Sequence, residues 1–132
     1  MITEDYVSFE TAKLLKENGF DEECRAYYVK SKECGIELFP TERSHNYNDN
    51  VYPRTSAPTL QMAMKWLREV HHYYIQIMLD NWVGIHVGYF VIIMKTDSDF
   101  GLQLYDEEEQ VFYETPEKAS EAAIKYSLEN LI

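Results

Sequence analysis

Only two cysteines, five glycines and four prolines occur among the 132 residues. Two thiols cannot build the disulfide framework of a small secreted scaffold. So little glycine and proline excludes collagen-like and low-complexity chains. No run of about 18 apolar residues exists, which excludes a transmembrane helix. The longest apolar-rich stretch, Val83 to Met94, is interrupted by Gly84, His86 and Gly88 and reads as strand. The first residues, Met1-Ile2-Thr3-Glu4-Asp5, are acidic and lack the basic start and apolar core of a signal peptide. No Asn-x-Ser/Thr sequon occurs. These absences predict a cytoplasmic protein with Cys24 and Cys34 reduced; a bridge between them across a hairpin is the alternative. Bases are also scarce, 12 against 23 acids, for a net charge of −11. A chain this acidic lacks the footprint of a phosphate-backbone binder, so no direct nucleic-acid contact is expected.

What is present is the composition of a globular domain, with 45% hydrophobic and 27% charged residues. A chain of this length buries a core without metal or disulfide staples. The charge is uneven. Residues 1–42 hold 10 acids and 5 bases, residues 43–95 hold 3 acids and 5 bases, and residues 96–132 hold 10 acids and 2 bases. Eight of those acids fall within 97–117, which has no Lys or Arg.

The pattern predicts a first helix over Ser8 to Asn18, capped by Ser8 and closed by Gly19 and Phe20. Ala26–Val29 and Ile36–Phe39 read as a β-hairpin ended by Pro40. Residues 40–58 read as a long loop, either a mobile surface excursion or, through Tyr47 and Tyr52, a binding segment. Leu60, Ala63, Met64, Leu67 and Val70 recur at helical spacing and predict a second helix over Thr59 to His71. Tyr73–Leu79 and Ile85–Lys95 alternate as strands, with Gly84 and Gly88 marking a bulge or close approach. Leu102–Tyr105 and Gln110–Tyr113 read as a hairpin around Asp106, Glu107, Glu108 and Glu109. Pro116 to Leu131 forms the last helix, capped by Thr115, with Ala119, Ala122 and Ala123 set for close approach. The order α-β-β-α-β-β-β-β-α predicts one α+β domain over 1–132. Its antiparallel sheet has four to six strands, with the three helices mainly on one face.

Motifs that carry chemistry are missing. His45, His71, His72 and His86 contain no i, i+4 pair, and there is no Cys-x-x-Cys, so no metal site is expected. Asp97-Ser-Asp-Phe-Gly101 begins like a calcium loop, but Leu102 stands where the turn needs glycine. Phosphate-cradling, dinucleotide and nucleophile-elbow signatures are absent, and no cofactor is expected. Cys24 lies among Asp21, Glu22 and Glu23, which disfavour a reactive thiolate. The eleven tyrosines are more informative. Tyr27-Tyr28 and Tyr73-Tyr74 are adjacent pairs in strands, so one of each faces outward. Tyrosine combines apolar area with a hydroxyl, which suits interfaces. The candidate interaction surface is Tyr47, Tyr52, Tyr74, Tyr105 and Tyr113 with the acidic tip Asp106, Glu107, Glu108 and Glu109, and at least three tyrosines are expected together on one exposed surface. Ordinary core and half-buried tyrosines are the rival account.

Three segments, SFETAKLLKENGFD (Ser8–Asp21), PTLQMAMKWLREVH (Pro58–His71) and EAAIKYSLENLI (Glu121–Ile132), resemble a family of small uncharacterised proteins from gut-bacterial, Bacteroidales-type phages and prophages. Lys65-Trp66-Leu67-Arg68-Glu69 is the most specific run. The resemblance implies a mobile-element context and host cytoplasm, and it carries no activity or site residues. The leading expectation is a non-enzymatic accessory protein that binds an unidentified protein partner, with a homodimer as one option. An acidic nucleic-acid mimic, or inhibitor of a host nucleic-acid-binding factor, is a second reading. A small enzyme is a third.

Overall fold

The computed structural model describes residues 1–33, 35–49, 53–82, 86–104 and 112–132. The chain divides into two compact units, Met1–Ala63 and Met64–Ile132. The class is α+β, with three helices and two antiparallel three-stranded sheets among the described residues, in the order α-β-β-β-α-β-β-β-α. The single sheet expected from the strand count is therefore two sheets of three.

The first unit begins with α1 (Phe9–Glu17). Ser8 Oγ accepts from the Thr11 N–H at 3.3 Å, satisfying a donor the helix leaves free. At the other end Gly19 sits at φ +89°, and the Phe20 N–H reaches back to the Leu15 carbonyl at 2.9 Å. This is the predicted left-handed stop. Phe20 is thereby delivered to the interior, buried like Ala12 and Leu15.

The sheet of this unit runs in the order β2-β1-β3, with β1 Cys24–Ser31, β2 Gly35–His45 and β3 Arg54–Ser56. Tyr27 pairs with Phe39 on one side and Ser56 on the other. Two expectations need correction. Pro40 does not end the strand: β2 continues to His45. A proline removes one ladder donor, which an edge strand tolerates. The register does shift just beyond it, between Cys24 and Ala26 of β1. Nor is 40–58 one loop, because its first residues belong to β2 and Arg54–Ser56 form β3. Three polar-leaning residues carry no alternation signal, and β3 exists because the free edge of β1 supplies its hydrogen bonds. The opening segment is tied down by a Tyr6–Thr59 bridge, the Val7 N–H on the Pro58 carbonyl at 3.0 Å, and the Leu60 N–H on the Asp5 carbonyl at 2.9 Å.

Helix α2 (Leu60–His71) buries Leu60, Ala63, Trp66 and Leu67; of the predicted face Met64 is half-buried and Val70, in the last turn, is 50% exposed. Thr59 Oγ1 accepts from the Met62 N–H at 3.2 Å as its cap. His72 follows at φ +64°, the left-handed position that reverses the chain into the next strand.

In the second unit β4 (Tyr73–Trp82), β5 (His86–Lys95) and β6 (Gly101–Leu104) pair in sequence order. The β4–β5 ladder runs without a shift from Tyr73–Lys95 to Trp82–His86, so Gly88 pairs regularly with Asp80 and marks no bulge. Gly84 lies outside the described residues, as do residues 105–111, where most of the predicted last hairpin falls. Of its second half, Tyr113 is bridged to Tyr89 by two 2.8 Å backbone bonds.

Helix α3 (Pro116–Asn130) starts at Pro116 under the Thr115 cap as expected. Its Ala119 and Ala123 pack with Tyr73, Val91, Ile93 and Leu104 in one core. Methyl-sized side chains let the helix lie close to the sheet, and Tyr73 locks its end by donating its hydroxyl to the Leu131 carbonyl at 3.0 Å. No helix among the described residues is long and apolar enough to cross a membrane.

Candidate interaction surfaces

Pairing in the second sheet sorts its side chains by face. Tyr73, Ile75, Val91 and Ile93 meet α3. Successive residues of a strand point to opposite faces, so Tyr74, Gln76 and Met78 of β4 lie on the other side. There they stand opposite Met94, Ile92 and Phe90 of β5. Gln103 of β6 joins Ile92 in the same row. Tyr74, Met78 and Met94 are 38%, 37% and 38% exposed. The Phe112 ring lies 5.7 Å from Phe90, at the edge of this apolar stripe. Asp80 is the one charge that the register puts on this face among the described residues. Large apolar side chains gathered on an exposed, nearly uncharged sheet face are unusual unless something binds there.

The first unit holds a different kind of site. Arg54 leaves β3 beside Tyr27, and its guanidinium carbon stands 5.3 Å from the Tyr27 ring centre and 5.0 Å from that of Tyr47. The two rings are themselves 4.7 Å apart. The turn after β2 makes this possible. Asn48 accepts from the Ser56 N–H at 2.9 Å and donates to the Phe20 carbonyl at 2.9 Å, while the Tyr47 N–H donates to Ser56 Oγ at 2.9 Å. The Tyr47 hydroxyl donates to the Arg43 carbonyl at 2.8 Å and lies 2.9 Å from Thr41 Oγ1. His45 Nε2 donates to Asp49 Oδ2 at 2.9 Å, and the other oxygen of Asp49 lies 3.9 Å from Arg54. Tyr27, Thr41, Arg43, His45, Tyr47 and Arg54 line a cavity of about 330 Å³. A second cavity of the same unit, about 470 Å³, is lined in part by Glu4, Glu23, Cys24 and Arg25. Cys24 is a buried free thiol whose Sγ lies 3.4 Å from the Ala26 carbonyl.

Of the predicted surface residues, Tyr47, Tyr74 and Tyr113 lie within the described residues. Tyr47 is buried at 5% exposure, because the anchored turn folds it onto Tyr27 and Arg54. Tyr74 is exposed and Tyr73 buried, the in–out alternation expected of that pair. Tyr113 is half-buried and bridged to Tyr89. Tyr52, Tyr105, Asp106, Glu107, Glu108 and Glu109 lie outside the described residues. Of the described acids in 97–117, Asp97 lies 3.9 Å from Lys95 and Glu114 lies 2.9 Å from Lys118. The Lys118 hydrogen bond and charge hold the Glu114 carboxyl below its usual range. Sequence reasoning missed Arg43, His45 and Arg54 as a group. The signal available was the slight basic excess of 43–95 in an acidic chain. The methionines and Ile92 of the outer sheet face were visible as the second phase of the strand alternation.

No family model, curated protein or solved structure matches the chain.

Proposed function

We propose that the protein is a non-enzymatic protein-binding module that works through the outer face of the β4–β5–β6 sheet, with a second copy of the chain as its occupant. The supporting observation is the stripe of Tyr74, Met78, Phe90, Ile92 and Met94 on a face to which the described residues bring one charge, Asp80. Burying such a face releases apolar surface from water at about 25 cal/mol per Å². Two chains of charge −11 repel each other, and a nearly uncharged face is where they can approach at least electrostatic cost. A two-fold contact would set each apolar stripe against the same stripe of its copy. The phage or prophage context implied by the resembling segments belongs to the same proposal, as does an accessory rather than catalytic role.

Sedimentation velocity tests it from about 1 to 200 µM, the range in which interfaces of modest size associate. The wild-type chain is expected to dimerise reversibly, and Met94→Glu to remain monomeric while keeping the wild-type far-UV spectrum and melting behaviour. A wild-type chain that stays monomeric throughout, or a Met94→Glu chain that dimerises equally well, overturns the reading.

A further inference from the structure

We propose that the cavity lined by Arg43, Arg54, His45 and Thr41 is a binding site for a small phosphate monoester carried on an aromatic or heteroaromatic group. This lies in the first unit and is independent of the sheet-face reading. In a chain of charge −11, two arginines and a histidine gather on one cavity of about 330 Å³. Asp49 is the carboxylate near them, and it is engaged with His45 at 2.9 Å and with Arg54 at 3.9 Å. Arg43 is exposed and makes no ion pair among the described residues. The local excess is therefore cationic, and an anion is the ligand it fits.

The type of anion follows from the donors. The two guanidinium forks are the donors that face a ligand, because His45 Nε2–H is given to Asp49 and the Thr41 hydroxyl to the Arg43 carbonyl at 2.8 Å. A phosphate monoester presents three acceptor oxygens and about two negative charges, and arginine forks match it in pairs. Arg54 is already oriented for the task. The faces of Tyr27 and Tyr47 hold its guanidinium, so little side-chain entropy remains to be lost on binding.

The carrier follows from the walls. The volume is at the lower end of the roughly 300–1,000 Å³ of small-molecule sites, which admits a phosphate with one ring rather than a large cofactor. Tyr27 and Tyr47 are taken up by each other and by Arg54, and the exposed aromatic beside them is Phe39, 40% exposed and stacked on Tyr27 at 5.6 Å. A planar group beside the phosphate meets the Phe39 ring.

Titration of the 15N-labelled full chain with phenyl phosphate, uridine monophosphate, inorganic phosphate and benzoate tests the assignment, with calorimetry for affinity. Phenyl phosphate or uridine monophosphate is expected to bind saturably, more tightly than inorganic phosphate and benzoate, with shifts centred on Tyr27, Thr41, Arg43, His45, Tyr47 and Arg54. The tighter of the two aromatic probes identifies the carrier class. Arg43→Gln, at an exposed position outside the tyrosine stack, is expected to weaken binding about tenfold, the size of one charge-assisted hydrogen bond. Lys13→Gln removes the same charge from an exposed helix position that does not line the cavity and is expected to leave binding unchanged. Absence of saturable binding by both aromatic phosphates overturns the proposal. Equal weakening by Arg43→Gln and Lys13→Gln, or benzoate binding as tightly as phenyl phosphate, also overturns it.

Discussion

The Arg54 guanidinium carbon lies 5.0 Å from the centre of the Tyr47 ring, within the roughly 6 Å over which a ring face attracts a cation. The relationship joins a three-residue strand to the turn after β2, and Tyr47 is the piece that closes it. Its ring packs and its hydroxyl bonds, so the two contributions separate by substitution. Tyr47→Phe keeps the ring over Arg54 but loses the bond to the Arg43 carbonyl, and is expected to cost about 1 kcal/mol. Tyr47→Ala also empties the space beside Tyr27 and is expected to cost about 3 kcal/mol or more. Urea denaturation followed by tyrosine and tryptophan fluorescence reads both; equal losses for the two variants would show that the ring contributes nothing.

His72 carries φ +64° between α2 and β4. Its N–H donates to the Arg68 carbonyl at 3.2 Å and its carbonyl accepts from the Thr96 N–H at 2.8 Å, so the left-handed conformation is held by the backbone. A side chain there opposes the conformation that glycine adopts freely. His72→Gly is expected to raise stability by about 0.5–1 kcal/mol, and His72→Val to lower it by about 1 kcal/mol or more. Thermal melts of both variants check the opposite signs.

His71 sits edge-on to Trp66, with ring centres 4.7 Å apart, and its Nε2 is buried with no hydrogen-bond partner among the described residues. Burial, and secondly the neighbouring charge of His72, hold its pKa below the ordinary 6.5. A base with a lower pKa folded than unfolded binds fewer protons in the folded state. Its share of stability is therefore complete above its unfolded value near 6.5 and is lost as pH falls from there toward the lowered folded value. Melting temperatures at pH about 7.5 and about 5.5 are expected to differ more for the wild type than for His71→Gln, which has no proton to gain in this range. A pH drop of the same size in both would remove His71 as its source.

Much of the helical structure was legible in the residues. Ser8 and Gly19 bracket α1, Thr115 and Pro116 open α3, and the apolar spacing from Leu60 locates α2, because caps and 3.6-residue periodicity act over a few positions. The alternation of β4 and β5 was legible for the same reason. Two sheets instead of one were not, since alternation says which residues share a face and nothing about which strands pair. The passage of β2 through Pro40 depends on its lying at a sheet edge, a fact set by β1 and β3.

The candidate sites divide along the same line. The apolar outer face of the second sheet is a periodic feature of β4 and β5, readable once the strands are recognised. The cationic cavity is not periodic at all. Arg43, His45 and Arg54 come together because Asn48 bonds to Phe20 and Ser56 and folds the intervening turn back on the sheet, carrying Tyr47 from a presumed surface loop into the interior.

The residues alone determined the acidic character, the helix boundaries and the in–out order of the long strands, all products of composition and local stereochemistry. Tertiary structure alone decided how the strands divide into two sheets and which tyrosines are buried. It also brought two of this acidic chain's few arginines to one cavity. Those outcomes depend on hydrogen bonds and packing between residues far apart along the chain, whose energies no local pattern records.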